Sequence, residues 1–137
     1  MPLAKLDHYS VRTTRLAETE RFYTEVLGLQ LGPRPPFKFP GAWLYNGAQA
    51  VVHVVGIDRN DPQGLIDYLG EKGLQDADET GSIDHIAFVA QDFAGTKAHF
   101  QSLGCPFRER MVPAMNLAQL FVDDPNGVTI ELNFPTS

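Results

Sequence analysis

Three histidines and one carboxylate occupy matched places in an internal repeat of this 137-residue chain. The stretch Leu6-Asp7-His8-Tyr9-Ser10-Val11-Arg12 has a near copy 77 residues later in Ser82-Ile83-Asp84-His85-Ile86-Ala87-Phe88-Val89, and each carries one histidine near the start of a strand-like run. His8 precedes His53 by 45 positions and His85 precedes Glu131 by 46. Imidazole nitrogen with carboxylate oxygen is a donor set for zinc, iron, nickel, cobalt or manganese rather than for calcium. A single histidine beside apolar residues is ordinarily a satisfied core residue. Equivalence by repeat points instead to one divalent metal ion held by His8, His53, His85 and Glu131. If the halves pack about a pseudo-twofold axis, His8 and His85 approach one another, and His53 and Glu131 join them from adjacent strands. Glu131 lies among Val128, Ile130 and Leu132, where a carboxylate is costly to bury unless it is paired or bound to metal. His99 falls in a helical run outside this pattern, and a solvated surface position is expected for it.

The elements that must carry these residues follow from periodicity and punctuation. Leu6, Tyr9 and Val11 alternate with polar neighbours, as in a half-buried strand. From Thr13-Thr14 as N-cap candidates, Leu16, Ala17, Phe22, Tyr23, Val26 and Leu27 recur at helical spacing, and Gly28 is the stop. A short strand at 29–31 leads into Gly32 to Gly41, whose four prolines exclude helix and central strand and leave a loop bearing Phe37 and Phe39. Ala42 to Tyr45, a turn at Asn46-Gly47 and Gln49 to Val55 predict a hairpin with His53 on its second strand. The second copy predicts a strand at 83–90, a helix at 92–103 ending Leu103-Gly104, and strands near 107–112, 117–122 and 128–133. Asp124-Pro125-Asn126-Gly127 turns between the last two. The segment 57–81 is polar, with Asp58, Asp61, Asp67, Asp76, Asp78 and Glu79 and one helical stretch at 62–69, and reads as the connection between the halves. The expected organisation is a single domain, 1–137, with module 1 at about 4–56, a connector at 57–81 and module 2 at about 82–134.

Bulk properties remove several function classes. A formal net charge of −6, with no basic run, argues against nucleic acid or an anionic membrane surface as partner. No apolar run reaches signal or transmembrane length, and the N-terminus leads straight into a strand, so a cytoplasmic protein is expected. Cys105 is the sole cysteine, which excludes an intramolecular disulfide, fits a reducing compartment and suggests a packing role.

The doubled unit, the helix end Phe22-Tyr23-Thr24-Glu25-Val26-Leu27-Gly28-Leu29 and the ending Asp123-Asp124-Pro125-Asn126-Gly127-Val128-Thr129-Ile130-Glu131-Leu132 resemble the vicinal oxygen chelate superfamily of glyoxalases, extradiol dioxygenases and fosfomycin or bleomycin resistance proteins. The resemblance covers almost the whole chain. It implies an α+β fold in which two tandem βαβββ modules form a cup-shaped sheet around one divalent metal ion, with His8, His85 and Glu131 as ligands and, commonly, a homodimer. In glyoxalase I the position matching His53 is usually a glutamate, which with the one matching Glu131 ligates metal and moves protons. Imidazole can do both near neutral pH, so His53 and Glu131 are the expected catalytic pair. Extradiol dioxygenases would use His8, His85 and Glu131 on iron with His53 as acid/base. They also place a tyrosine about ten residues before the glutamate, where this chain has Phe121. The fosfomycin reading lacks recognisable phosphonate-binding residues beyond Arg34, Lys38, Arg108 and Arg110, and a bleomycin-type binding protein would not need four ligand-type residues. A glyoxalase-type lyase or isomerase acting on a small substrate with vicinal oxygens is therefore expected, with Phe37, Phe39, Trp43 and Met115 on the substrate wall.

Overall fold

A computed structural model describes residues 5–74, 80 and 83–136, so the acidic residues at 75–79 and Ser82 lie outside the described residues. The chain divides into two compact units, Met1–Asp78 and Glu79–Ser137.

In the first unit, β1 (Tyr9–Thr13) is followed by α1 (Leu16–Arg21), then β2 (Gln30–Gly32), β3 (Gly41–Asn46) and β4 (Gln49–Gly56). The sheet order is β1-β4-β3-β2, with β1 parallel to β4 and the other neighbours antiparallel. The second unit repeats the plan: β5 (His85–Val89), α3 (Phe93–Ser102), β6 (Arg108–Val112), β7 (Leu117–Asp123) and β8 (Thr129–Pro135), in the order β5-β8-β7-β6. Two four-stranded mixed sheets, each a βαβββ unit, give the expected α+β architecture.

Each sheet has a dry face and a polar face because side chains alternate along a strand. Val11, Leu44, Val52 and Val54 are buried in the first unit, as are Leu120, Val122, Ile130, Leu132 and Phe134 in the second. Their alternate neighbours carry the chemistry. α1 does not stop at Arg21 but widens into a π-helical turn over Phe22–Val26, where two consecutive aromatics, Phe22 and Tyr23, are both buried. Gly28 then takes φ +74°, and Leu29 N–H closes back on the Tyr23 carbonyl at 2.9 Å. Gly104, at φ +64°, does the same for α3, with Cys105 N–H on the Phe100 carbonyl at 2.9 Å. A left-handed residue satisfies carbonyls that a helix end leaves open, and glycine adopts that conformation without a Cβ clash.

The start of α1 differs from the sequence expectation. Neither Thr13 nor Thr14 caps it: Arg15 is the N-cap residue and gives no side-chain cap. Thr13, fully buried as the last residue of β1, instead accepts the Arg15 N–H on its hydroxyl at 2.8 Å and the Ile57 N–H on its carbonyl at 2.7 Å. The segment after β4 also does more than connect. α2 (Gln63–Leu69) buries Leu65 in a cluster with Phe39, Val55 and Ile57, and Phe37, Leu69 and Leu74 pack around it. A Cβ on Gly64 would collide with the Lys38 carbonyl, so the helix and the proline-rich loop lie backbone to backbone.

Candidate functional site

The polar face of the second sheet carries the most developed arrangement. Register puts Arg108, Phe121, Glu131 and Ala87 in one cross-strand row and Arg110, Gln119, Asn133 and Val89 in the next. His85 stands opposite Thr129, one row further along the same face. Glu131 is 8% exposed, and its carboxylate is oriented by Asn133, whose amide donates to Oε2 at 2.9 Å. Asn133 in turn accepts from the Gln119 amide at 2.8 Å, and Gln119, 5% exposed, accepts from Arg110 Nε at 2.7 Å. A buried polar chain satisfied link by link holds a single geometry.

His85 is set from the other side. The Asp84 carboxylate, which can only accept, takes the Nδ1–H at 2.8 Å and so turns Nε2 toward Glu131. Nε2 faces Glu131 Oε1 at 3.6 Å, beyond hydrogen-bonding distance. A cation shared by the two atoms joins them: a proton on Nε2 makes an ion pair, and a metal ion between them makes a bridge. Their separation suits donors each about 2.0–2.2 Å from a common ion. The donor chemistry of this pair therefore fits a divalent metal. A cavity of about 620 Å³ opens here, lined by Asp84, His85, Arg108, Glu109, Arg110, Phe121, Thr129 and Glu131.

The equivalent face of the first sheet is built from rings. His53 pairs with Ser10 on one side and Trp43 on the other. The Trp43 ring lies parallel to His53 at 3.8 Å and 9°, and His8 covers the opposite side at 3.7 Å and 13°. His8 repeats the arrangement of His85: its Nδ1–H donates to Asp7 at 2.6 Å, and Asp7 is also held by Gln49 at 2.9 Å. That hydrogen bond from His8, helped by Gln49, keeps the Asp7 carboxyl below the usual range. Burial between two rings, with His8 adding charge repulsion, lowers the His53 pKa from its ordinary 6.5, so His53 is a neutral imidazole at neutral pH. Lone pairs of stacked rings run side by side. For both His8 and His53 to meet one ion, one ring must turn out of the stack. Within neither unit do three or more His, Cys, Asp or Glu side chains form a metal-holding group among the described residues.

Of the residues expected on a substrate wall, Phe37, Phe39 and Trp43 gather in the first unit, where the Phe37 ring lies 6.4 Å from that of Trp43. Trp43 is committed to His53, and Phe39 is 7% exposed inside the first unit's core. Phe37 stacks on Phe39 at 5.0 Å and meets Tyr68 at 5.0 Å, beside a cavity of about 280 Å³ that Phe37, Phe39, Lys38 and Tyr68 help to line. Met115, at the end of a 3-10 turn after β6, is 67% exposed. His99 is exposed on α3. Burial raises the Cys105 thiol pKa, which makes it a poor nucleophile. Sequence reasoning passed over Asp7 and Asp84, although the repeated Asp-His pair was visible in both copies. It also passed over Gln119 and Asn133, each two residues from a residue already noted on the same strand.

Two mixed four-stranded sheets, each made by a βαβββ unit presenting a histidine and a second ligand-type residue, define the class. The profile of the Glyoxalase/Bleomycin resistance protein/Dioxygenase superfamily matches residues 5–132. The chain belongs to that superfamily. A lactoylglutathione lyase of Schizosaccharomyces pombe is 25% identical over 96% of this chain, which spans only 48% of that relative's length. Among solved structures, lactoylglutathione lyase from Agrobacterium tumefaciens has a TM-score of 0.64 at 20% identity, covering 98% of this chain and 96% of its own. An antibiotic binding protein from Streptomyces sp. CB03234 has a TM-score of 0.68 at 19% identity, covering 99% of each chain. At these identities the structural likeness establishes the fold. No described helix is long and apolar enough to cross a membrane.

Proposed function

We propose that this protein is a divalent-metal-dependent enzyme of the glyoxalase type, a lyase or isomerase acting on a small substrate that chelates through two adjacent oxygens. Its ligand set is His8, His53, His85 and Glu131, and it works as a cytoplasmic homodimer. The observation that carries the reading is the His85 Nε2 to Glu131 Oε1 pair at 3.6 Å, two ligand-type atoms held face to face by Asp84 and Asn133. When bound, the metal ion supplies Lewis acidity toward the substrate's oxygens and lowers the cost of negative charge on them. The chain's own residues do the rest. Asp84 fixes the His85 tautomer. Asn133 holds the Glu131 carboxylate by Oε2, and Glu131 takes a proton from the substrate carbon and returns it to the neighbouring one. His53, neutral and half-buried under Trp43, is the second group able to hold that proton.

Phe121 favours this reading over ring cleavage. It stands directly across from Glu131 in β7, at the place where the dioxygenase pattern wants a phenol, and it brings no hydroxyl. The deciding experiment is anaerobic reconstitution with nickel, zinc, cobalt, manganese or ferrous iron, followed by assays with a methylglyoxal hemithioacetal and with catechols. Thioester formation with nickel or zinc is the expected result. Oxygen consumption with catechols under ferrous iron transfers the protein to the dioxygenases. Failure to take up any divalent ion stoichiometrically leaves it among the binding proteins.

A further inference from the structure

We propose that Arg110 is a positioning residue for Glu131, acting from the edge of the second sheet through Gln119 and Asn133 and not by touching a ligand. This deepens the functional reading and rests on its assignment of Glu131. Arg110, Gln119 and Asn133 are direct neighbours across β6, β7 and β8, and Glu131 stands two residues along β8 on the same face. All three hydrogen bonds run one way. Arg110 Nε donates to Gln119 at 2.7 Å, the Gln119 amide to Asn133 at 2.8 Å, and the Asn133 amide to the Glu131 carboxylate at 2.9 Å. The two ends impose that direction. A guanidinium can only donate and an ionised carboxylate can only accept, so a reversed amide at Gln119 or Asn133 would set donor against donor and acceptor against acceptor.

Gln119 makes the arginine necessary. It is 5% exposed, and its carbonyl oxygen takes its donor from Arg110, which is itself exposed. A buried amide oxygen left without a donor is costly, so without the guanidinium Gln119 turns toward water, gives up Asn133 and loosens the carboxylate that Asn133 holds. The repeat supplies the comparison. In the first unit Gly41 pairs with Val55 where Gln119 pairs with Asn133, and Arg34 stands two residues past Gly32 as Arg110 stands two past Arg108. Neither Gly41 nor Val55 has a side chain that passes on a hydrogen bond. Arg34 donates instead to the Phe39 carbonyl and covers Phe37 and Phe39, its guanidinium carbon 5.3 and 5.4 Å from their ring centroids. His53, the ligand-type residue of that copy, is held by ring stacking. An arginine at one place of the repeat thus anchors a loop in the first copy and orients a carboxylate in the second.

The test compares Arg110→Met, which keeps an unbranched stem over Phe121 and removes the donor, with Arg110→Lys, which restores a donor and the charge. In the metal-free chain, proton–nitrogen NMR follows the side-chain amide of Asn133. Its bonded proton should exchange with solvent about tenfold faster in Arg110→Met and recover in part in Arg110→Lys. Zinc affinity, measured on the same proteins, should fall about tenfold in Arg110→Met, the lower end of what a group supporting a metal ligand contributes, and by less in Arg110→Lys. An Asn133 signal and a zinc affinity that both stay within about twofold of the parent in Arg110→Met overturn the proposal. Equal losses in the two variants overturn it as well, since the donor and not the stem is what orients Gln119. If the parent chain takes up no zinc while its Asn133 signal still depends on Arg110, the positioning of Glu131 stands and the metal-enzyme reading beneath it falls.

Discussion

The two sheets share one topology and present opposite solutions on their polar faces. Around His53 the first sheet stacks three rings, His8, His53 and Trp43, whose cohesion comes from dispersion and burial. Around Glu131 the second sheet builds a directed hydrogen-bond chain from Arg110 through Gln119 and Asn133 to the carboxylate. The hairpins that support the two positions differ in the same sense. Asn46-Gly47 turns β3 into β4 tightly, with Gly47 at φ +64°. Between β7 and β8 the turn is organised by Asp124, 5% exposed, whose carboxylate accepts the Asn126 and Val128 N–H groups at 2.8 Å each. A duplicated fold thus keeps its backbone plan, and an Asp-His pair in each copy, while one polar face becomes a stack of rings and the other a chain of hydrogen bonds. Retention of the strand register allows this, because register alone decides which side chains share a row.

The sharpest way to break this comparison is to remove Glu131 and His53 in turn. Glu131→Gln should abolish stoichiometric metal uptake and lower turnover by about 10²–10⁴-fold, whereas His53→Gln should cost less, since its ring is committed to a stack. Metal analysis and kcat measured side by side decide the matter, and equal losses would show the halves to be functionally symmetric. Next in size is Asp124→Ala, which strands two backbone donors in a buried turn and should cost roughly 2–3 kcal/mol in urea unfolding. A loss below about 0.5 kcal/mol would mean that water replaces the carboxylate. Asn133→Ala should then weaken metal affinity by about 10–100-fold with little change in melting temperature, the signature of a residue acting through Glu131.

The smallest effect concerns acid. Folded His53 titrates below its ordinary 6.5, so as pH falls through that value the unfolded chain binds a proton that the folded chain refuses. Stability of the metal-free protein should therefore drop on the acid side of neutrality, and His53→Gln should flatten that part of the melting-temperature profile. An unchanged profile would show that Trp43 and His8 do not isolate the ring.

Much of this molecule was legible in one dimension. The repeated Asp-His strands, the Leu-Gly helix ends, the Asn-Gly hairpin and the Asp-Pro-Asn-Gly turn follow from local rules, since each depends on residues within a few positions of one another, and together they specify two βαβββ units. What lies beyond local rules appeared only in three dimensions. Period-two alternation says that Phe121 and Glu131 each point to one side of a strand, but pairing across the sheet decided that they are direct neighbours and that Arg108 completes their row. Phe39 lacked any periodicity, and α2, distant in sequence, buried it. The Gln119–Asn133–Glu131 chain and the His8–His53–Trp43 stack likewise join residues from different strands. Their formation depends on register and rotamer, quantities that long-range packing sets and that no local pattern encodes.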